Sequence, residues 1–371
     1  MPPLQLVDVT LFLLSVSAFS LLPPPRSKLE QLLTSKAAKE IGNTPLLHIK
    51  SLSSQLSTPT KSVNIYVKDE SSNPSGSSKD RIALSILKGK LASGCTSVAE
   101  GTSGSTGVAL ATLCKAIDLP CQIFMPSDQS KAKSLAIRER GAVCTVVPPS
   151  SISNPNNYVN LARRLPGFCD QFDNLDNYAA HFTTTGPEIL RSGVSPDAFV
   201  MSAGTGGTIA GAGNFLKGSC GCEVVLADCE GSVLHSLATT GVAYTKEQGE
   251  RVLRRNREDT ICEGIGLDRV TRNFEKASID RSYKVLDQEV LYMSRYIIKN
   301  EGWACGSSTA CNLVAAVREA KRRGSDAVIV TIKCSRGERE SERLGSKEFV
   351  EGRGLVWGGE EAWLTELCSD R

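Results

Sequence analysis

The sequence is poor in residues that bind metals, and it lacks the composition typical of nucleic-acid-binding proteins. It has three histidines, and Cys220-Gly-Cys222 is too tight for a zinc pair with no second pair nearby. The net charge is +3, and no basic block is interleaved with aromatic residues. We therefore expect no metal site and no nucleic-acid partner.

Disulfide bonds are not expected either, although the chain contains 13 cysteines. Most stand alone inside apolar segments, as Cys114, Cys121, Cys144 and Cys305 do. Such isolated thiols are typical of small buried side chains in a reducing compartment. A chain of 371 residues with 40% hydrophobic content is long enough for two domains with full cores.

Residues 1–40 differ from the rest of the chain. Leu4 to Leu22 is strongly apolar, but Asp8 interrupts the run and no basic residue precedes it. Val16-Ser17-Ala18 suits a cleavage site, so we favour a targeting segment and an organellar location, in a plastid or mitochondrion. One alternative is a membrane anchor of about 19 residues, which would contact a membrane if it is retained. The other is an N-terminal helix of the mature protein. The alternative locations are therefore the cytoplasm and a membrane.

From Ile41 onward, apolar runs typical of strands alternate with segments typical of helices. The predicted strands are Val63–Val67, Ser97–Ala99, Gln122–Met125, Val143–Val147, Ala198–Ser202, Glu223–Ala227 and Ala327–Ile332. The predicted helices are Asp80–Ala92, Ser105–Ile117, Gln129–Arg140, Thr208–Leu216, Glu289–Asn300 and Cys311–Arg323. This alternation predicts an α/β fold with two three-layer domains, whose sheets are twisted and mostly parallel.

Breaks in the alternation suggest the domain boundaries. Residues 90–190 would form the smaller domain, and residues 41–89 with 191–335 would form the larger one. In such sheets, ligands bind beyond the carboxyl ends of the strands, here between the two domains. Arg251 to Glu258 is charge-dense, which predicts a solvated helix face or loop, and residues 336–371 form a tail with weak periodicity.

Lys79 is the candidate catalytic residue. The strand Val63–Val67 is followed by a polar loop, and Ser78-Lys79-Asp80-Arg81 then opens a helix. A lysine in the first turn of a helix has a lowered pKa if the helix dipole and partial burial both disfavour its charge. A free amine can attack a carbonyl to form a Schiff base. The alternative is a solvated lysine at a helix start.

A glycine-rich loop, Ala203-Gly-Thr-Gly-Gly-Thr208, follows the strand Ala198–Ser202 and opens another helix. Its backbone N–H groups and the helix N-terminus suit one phosphate. It is not a P-loop, because no Gly-Lys-Ser/Thr follows. A dinucleotide loop is the alternative, since Asp228 lies about 20 residues on, but Ile209 stands where the third glycine belongs.

Two further hydroxyl-rich segments open helices. Glu100-Gly-Thr-Ser-Gly-Ser-Thr-Gly107 follows a predicted strand, and its hydroxyl and N–H groups suit a carboxylate. Gly306-Ser-Ser-Thr-Ala310 opens the last predicted core helix. The alternative for both is simple helix capping.

Asn73-Pro-Ser-Gly-Ser-Ser-Lys-Asp-Arg81 resembles the lysine loop of the cysteine synthase and cystathionine β-synthase family. These are pyridoxal 5'-phosphate (PLP) enzymes of fold type II, the tryptophan synthase β-like fold, in which PLP lies between two domains. The resemblance extends from Ile41 to about Ile332 and includes Gly42–Leu46, Thr184–Ile189 and Glu263–Gly266. The sequence looks closest to the divergent organellar branch of cysteine synthases.

The resemblance implies a role for each loop. Lys79 would hold PLP and act as the base, and Ser308, or its neighbour Ser307, would face the pyridine nitrogen. Ser105 stands where the family has an asparagine that contacts PLP. The phosphate ligands would be Gly204, Thr205, Gly206, Gly207 and Thr208. The substrate-binding residues would be Thr102, Ser103, Gly104, Thr106 and Gly264.

The implied reaction is β-replacement, in which O-acetyl-L-serine and sulfide give L-cysteine. The alternatives are β-elimination by a serine dehydratase or cysteine desulfhydrase, a nicotinamide dehydrogenase, and an inactive PLP-binding scaffold. The inactive scaffold remains an alternative for two reasons. Ser105 replaces the family's asparagine, and in the tail Cys334 to Arg339 replaces the family's Asp-Ser-Gly-x-Arg-Tyr. A homodimer is implied by the resemblance alone, and association with a serine acetyltransferase is left open.

Overall fold

A computed structural model of the protein describes residues 26–244 and 260–369. The apolar run Leu4 to Leu22 and the charge-dense stretch Arg251 to Glu258 lie outside the described residues. Among the helices that are described, none is long and apolar enough to cross a membrane.

The strands within the described residues form two sheets. Six strands follow the order β1-β2-β9-β6-β7-β8, and three follow the order β3-β4-β5. Neighbouring strands are parallel except for β1 and β2, which are antiparallel. The strands are β1 (Leu46–His48), β2 (Val63–Asp69), β3 (Val98–Gly101), β4 (Cys121–Pro126), β5 (Val143–Val147), β6 (Ala198–Ser202), β7 (Glu223–Cys229), β8 (Arg281–Val285) and β9 (Ala327–Lys333). The predicted α/β class with mostly parallel sheets is confirmed.

Helices connect the strands, as parallel pairing requires. The helices are α1 (Lys28–Thr34), α2 (Lys36–Lys39), α3 (Lys50–Leu56), α4 (Lys79–Ala92), α5 (Ser105–Ala116), α6 (Lys131–Glu139), α7 (Tyr158–Arg163), α8 (Asp176–Ala180), α9 (Gly186–Arg191), α10 (Gly207–Cys220), α11 (Leu234–Thr240), α12 (Asp287–Glu301), α13 (Ser307–Arg323), α14 (Ser341–Leu344), α15 (Lys347–Gly352) and α16 (Glu360–Cys368). A π-helical turn, His181–Thr185, joins α8 to α9.

The larger sheet is covered on both faces, because alternate residues of each strand point to opposite sides. In β6, Ala198 and Val200 pack into one apolar core with α12 and α13. Phe199 and Met201 pack into a second core with α10. The smaller sheet has its own core, in which Ile123 packs with residues of α4 and α5. Separate cores agree with a division into two domains, whose boundaries stay a prediction.

The predicted elements correspond closely to the observed ones, with two strands missed. All seven predicted strands and all six predicted helices are present, with ends displaced by up to four residues. Neither β1, which has three residues, nor β8 was predicted from the sequence. Both are edge strands of the larger sheet, and β8 reads Arg-Ser-Tyr-Lys-Val, without the apolar run of a central strand.

Both ends of the described chain pack on the core. A capping box formed by Ser27 and Glu30 starts α1, and Lys28 Nζ donates to the carbonyl of Ile117 at 2.5 Å. Residues 28–39, assigned by sequence to the N-terminal segment, therefore belong to the folded body, and the targeting role of earlier residues stays a prediction. In the tail, Val350 of α15 and Leu364 of α16 are buried in the core of the larger sheet.

Adjacent leucines of α1 test whether this helix contributes to folding. Leu32 is 0% exposed and Leu33 is 46% exposed. We expect Leu32→Ala to lower the free energy of unfolding by about 2–5 kcal/mol, because it leaves a cavity in the core. Leu33→Ala is the matched control and should change it by about 0.5 kcal/mol or less. Urea unfolding measures both, and equal small effects would show that α1 does not pack as described.

Candidate active site

A cavity of about 500 Å³ lies between the two sheets, at the carboxyl ends of their strands. The volume is ordinary for a small-molecule site. The loops after β2, β3 and β6 all reach it. Its lining includes these predicted site residues: Lys79, Thr102, Ser103, Ser105, Thr106, Gly204, Thr205, Gly206, Thr208, Gly264 and Ser308. The other two, Gly104 and Gly207, stand beside lining residues in the same loops.

Lys79 is the first residue of α4 and lines the cavity. Its Nζ donates to Ser78 Oγ at 3.1 Å. Burial lowers the pKa of the Lys79 amine, because the desolvated ammonium ion is disfavoured. The preceding loop is fixed by Asp80, whose carboxylate accepts from Ser75 N at 3.0 Å and from Ser75 Oγ at 2.5 Å. The cavity therefore contains an amine that loses its proton more easily than the amine of an exposed lysine.

Arg81 connects the lysine loop to the rest of the protein through ion pairs. Its Nε is 2.7 Å from Glu70 Oε2, and its NH1 is 2.7 Å from Glu188 Oε1. Burial would raise the pKa of Glu188, but hydrogen bonds and charge from Arg81 and Lys68 hold it at about 2. The Thr-Gly-Pro-Glu segment that contains Glu188 thus supports the lysine loop through an ion-pair network.

The glycine-rich loop leads into the N-terminus of α10. Gly206 has a φ of +86°, and a Cβ on Gly204 would lie 2.1 Å from the carbonyl oxygen of Gly264. A Cβ on Gly207 would lie 2.0 Å from Asn177 Oδ1. The backbone can therefore take this path only without side chains at these positions, which leaves its N–H groups free to approach an anion.

Two buried side chains behind this loop were not identified from the sequence. Asn177 Nδ2 donates to Thr205 Oγ1 at 2.8 Å, and His181 Nε2 is 3.0 Å from Thr208 Oγ1. Burial lowers the pKa of His181 to about 3, so the imidazole is neutral and orients Thr208 without adding charge. His181 begins the π-helical turn, a feature frequent at functional sites, but no sequence signal had marked it.

The hydroxyl-rich loop ends at the N-terminus of α5. Thr106 Oγ1 donates to Gln171 Oε1 at 2.6 Å, and Gln171 Nε2 donates to the carbonyl of Gly101 at 3.0 Å. Gln171 also lines the cavity and was missed, because it lies 65 residues from Thr106 in sequence. Gly104 has a φ of +133°, which places Ser105 at the start of α5.

Ser307 and Ser308 open α13, and their surroundings differ. Ser307 Oγ donates to Glu340 Oε2 at 2.7 Å and accepts from Glu263 N at 3.0 Å. Ser308 lines the cavity beside Cys334. Because the hydroxyl of Ser307 is already hydrogen-bonded within the protein, Ser308 is the serine that is better placed to contact a ligand.

Fold and site together define an α/β protein in which a lysine of lowered pKa and a glycine-rich loop at a helix N-terminus line one cavity between two sheets. A family model described as "Pyridoxal-phosphate dependent enzyme" matches residues 37–335. The chain belongs to this family, and it is therefore an enzyme that uses pyridoxal phosphate.

Proteins similar to this chain carry names from cysteine metabolism. "Cysteine synthase 2" of Schizosaccharomyces pombe is 41% identical over 339 residues, which are 85% of this chain and 85% of that protein. A Saccharomyces cerevisiae protein whose name includes the words "mitochondrial cysteine synthase" is 41% identical over 341 residues, covering 86% and 84%. The crystal structure of O-acetylserine dependent cystathionine beta-synthase from Helicobacter pylori is 28% identical with a TM-score of 0.68, and the match covers 82% of this chain and 96% of that one.

The buried carboxyl group of Glu100, near the end of β3, should make the stability of the protein depend on pH. Its carboxyl accepts from Gly101 N at 2.8 Å and from Gln171 N at 3.0 Å, and burial raises its pKa from 4.5 to about 8. Between these pH values the folded state holds one more proton than the unfolded state. The free energy of unfolding should therefore fall as the pH rises and level off above about pH 8.

Glu100→Gln removes the titrating group and should therefore remove its contribution to the slope of the free energy of unfolding against pH. Urea unfolding across the pH window measures it for wild type and variant. Glu139→Gln, an exposed change on α6, is the control and should keep the wild-type slope. Equal slopes for wild type and Glu100→Gln would contradict the assignment.

Proposed function

We propose that the protein is a cysteine synthase, which forms L-cysteine from O-acetyl-L-serine and sulfide. One observation carries the proposal: a single cavity is lined by the lysine of lowered pKa and by the loops at the N-termini of α5 and α10. Two helix N-termini suit two anions, here the cofactor phosphate and the substrate carboxylate. The names of the relatives support an amino acid and sulfide as the substrates.

The residues of the cavity fit pyridoxal phosphate. The loop Gly204–Thr208 has no room for extra Cβ atoms and would hold the phosphate, and Lys79 would hold the aldehyde carbon. Ser308 would face the pyridine nitrogen, and Ser105 would lie near the phenolic oxygen. When bound, the cofactor withdraws electrons and makes the α-proton of an attached amino acid acidic.

The other steps fall to side chains of the chain itself. The carboxylate of the amino acid would bind to the hydroxyl and N–H groups of Thr102, Ser103 and Thr106, with Gly104 shaping the loop and Gly264 on the facing side. Lys79, whose lowered pKa favours the neutral amine, would accept the α-proton as general base. The hydroxyl of Ser308, unlike a carboxylate, would leave the pyridine nitrogen unprotonated, which would suit replacement at the β-carbon.

Quaternary structure and location are part of the proposal. We propose a homodimer, as in the family that the sequence resembles. We also propose an organellar location, because the apolar run Leu4 to Leu22 contains a candidate cleavage site and a similar yeast protein has "mitochondrial" in its name. Sedimentation of the purified protein and imaging of a C-terminal fluorescent fusion test the two statements.

Lys79→Ala tests the role of the lysine. We expect the variant to lose the absorbance band at about 410 nm that bound pyridoxal phosphate gives on a lysine, and to lose cysteine formation. Lys88→Ala, an exposed lysine on the same helix, is the matched control and should keep both. A band that survives in Lys79→Ala would place the cofactor on another residue.

The reaction itself is tested with the wild-type holoenzyme. O-acetyl-L-serine should shift the absorbance band, and added sulfide should restore it with release of L-cysteine. Release of pyruvate and ammonia without sulfide would instead establish β-elimination. A band that does not respond to either compound would identify an inactive scaffold.

A further inference from the structure

The tail enters the active site, although it departs from the family pattern. We call residues 335–343 the tail segment. Ser335 forms an antiparallel β-bridge with Ser77, and Arg336 N donates to the carbonyl of Gly76 at 3.2 Å. These bonds hold the tail segment against the lysine loop.

Glu340 of the tail segment is buried at the start of α13. Its Oε2 accepts from Ser307 N at 2.8 Å and from Ser307 Oγ at 2.7 Å. The residue before α13, Gly306, has no side chain to cap the helix, so Glu340 supplies the cap. The turn that presents Ser308 to the cavity is therefore fixed by the tail segment.

Glu263 is held between two cations that come from distant parts of the chain. Its carboxylate forms an ion pair with Lys133 of α6, and its Oε1 is 2.5 Å from Arg343 NH1 of the tail segment. The side chain of Glu263 is 2% exposed and that of Lys133 is 5% exposed. Although burial favours the neutral carboxyl, Lys133 and Arg343 hold the pKa of Glu263 below its ordinary value. We call Lys133, Glu263 and Arg343 the charge cluster.

The charge cluster reaches the predicted substrate loop through Lys133. A Cβ on Gly104 would lie 2.5 Å from Lys133 Cδ, so the lysine stem packs directly under the loop. On its other side, Glu263 immediately precedes Gly264, which faces Ser103. All three charged residues line the cavity. The cluster thus joins α6, beside the smaller sheet, to the Gly264 loop and the tail.

We propose that the charge cluster positions the substrate loop and thereby sets the affinity for the amino-acid substrate. This inference rests on the proposed function, which assigns the loop to the substrate carboxylate. Removing one member of a buried ion pair leaves its partner as an uncompensated charge, which the structure relieves by moving or admitting water. Movement of Lys133 would release Gly104 and separate Ser103 from Gly264. Glu263, Lys133 and Arg343 are positioning residues, and Lys79 remains the base.

The experiment uses the holoenzyme, with O-acetyl-L-serine as the probe. The half-saturating concentration is read from the shift in cofactor absorbance before sulfide is added. We expect Lys133→Met and Arg343→Met to raise the half-saturating concentration of O-acetyl-L-serine at least about tenfold. The cofactor absorbance band before titration should change little. Lys133→Arg, which keeps the charge, should recover most of the affinity. In steady-state kinetics, KM should rise much more than kcat falls.

The controls are exposed lysines close in sequence to Lys133 and Arg343. Lys131→Met lies on α6 like Lys133, and Lys347→Met lies on α15 of the tail. Both should titrate like the wild type. Arg343 is 20% exposed at the edge of the cluster, so Arg343→Met keeps the experiment decisive if Lys133→Met does not fold.

The outcomes separate the two proposals. If the wild type responds to O-acetyl-L-serine and the cluster variants respond at the same concentration, the positioning role is overturned while the proposed function stands. If the wild type itself does not respond, the proposed function fails and the inference fails with it. A loss of affinity in Lys131→Met equal to that in Lys133→Met would also overturn the role of the cluster.

Discussion

A lysine can act as a nucleophile and base near neutral pH only if the protein disfavours its ammonium form, and this constraint explains the arrangement around Lys79. Burial at the start of α4 lowers the pKa of the amine. A buried amine needs a rigid frame, because a mobile loop would let water in. Arg81 supplies that frame through carboxylates from two other segments, Glu70 and Glu188. The Lys-Asp-Arg motif therefore combines the lysine that we propose as the reactive residue with the arginine whose ion pairs keep the loop in place.

The same principle applies to the two loops that we propose bind anions. Each lies at a helix N-terminus, whose backbone N–H groups suit an anion without further buried cations. After burial, the charge of Lys133 also lowers the pKa of Lys79, and an unpaired ammonium at that place would compete for the anions. Two of the cations that line the cavity, Lys133 and Arg343, are neutralised because they share the carboxylate of Glu263. The site thus separates anion binding from the structural charges that hold its walls.

Much of this arrangement could be predicted from the sequence, and the limits have a physical cause. Central parallel strands such as β6 are continuous apolar runs, and the residues that follow them are fixed at one edge of the sheet, which located Lys79 and Gly204 to Thr208. Gln171, His181 and Glu340 were not found, because each meets its partner only after distant segments pack. The sequence left the role of the tail open for the same reason, since Glu340 and Arg343 follow no local periodicity.

The measurement that tests the central claim most directly is the location of the cofactor. Borohydride reduction of the wild-type holoenzyme makes the link between pyridoxal phosphate and its lysine permanent, and peptide mapping by mass spectrometry then identifies that lysine. We expect the pyridoxyl group on the peptide that contains Lys79, and on no other lysine peptide. A label on a different lysine, or no label in protein that contains the cofactor, would contradict the role of Lys79 and the active site built around it.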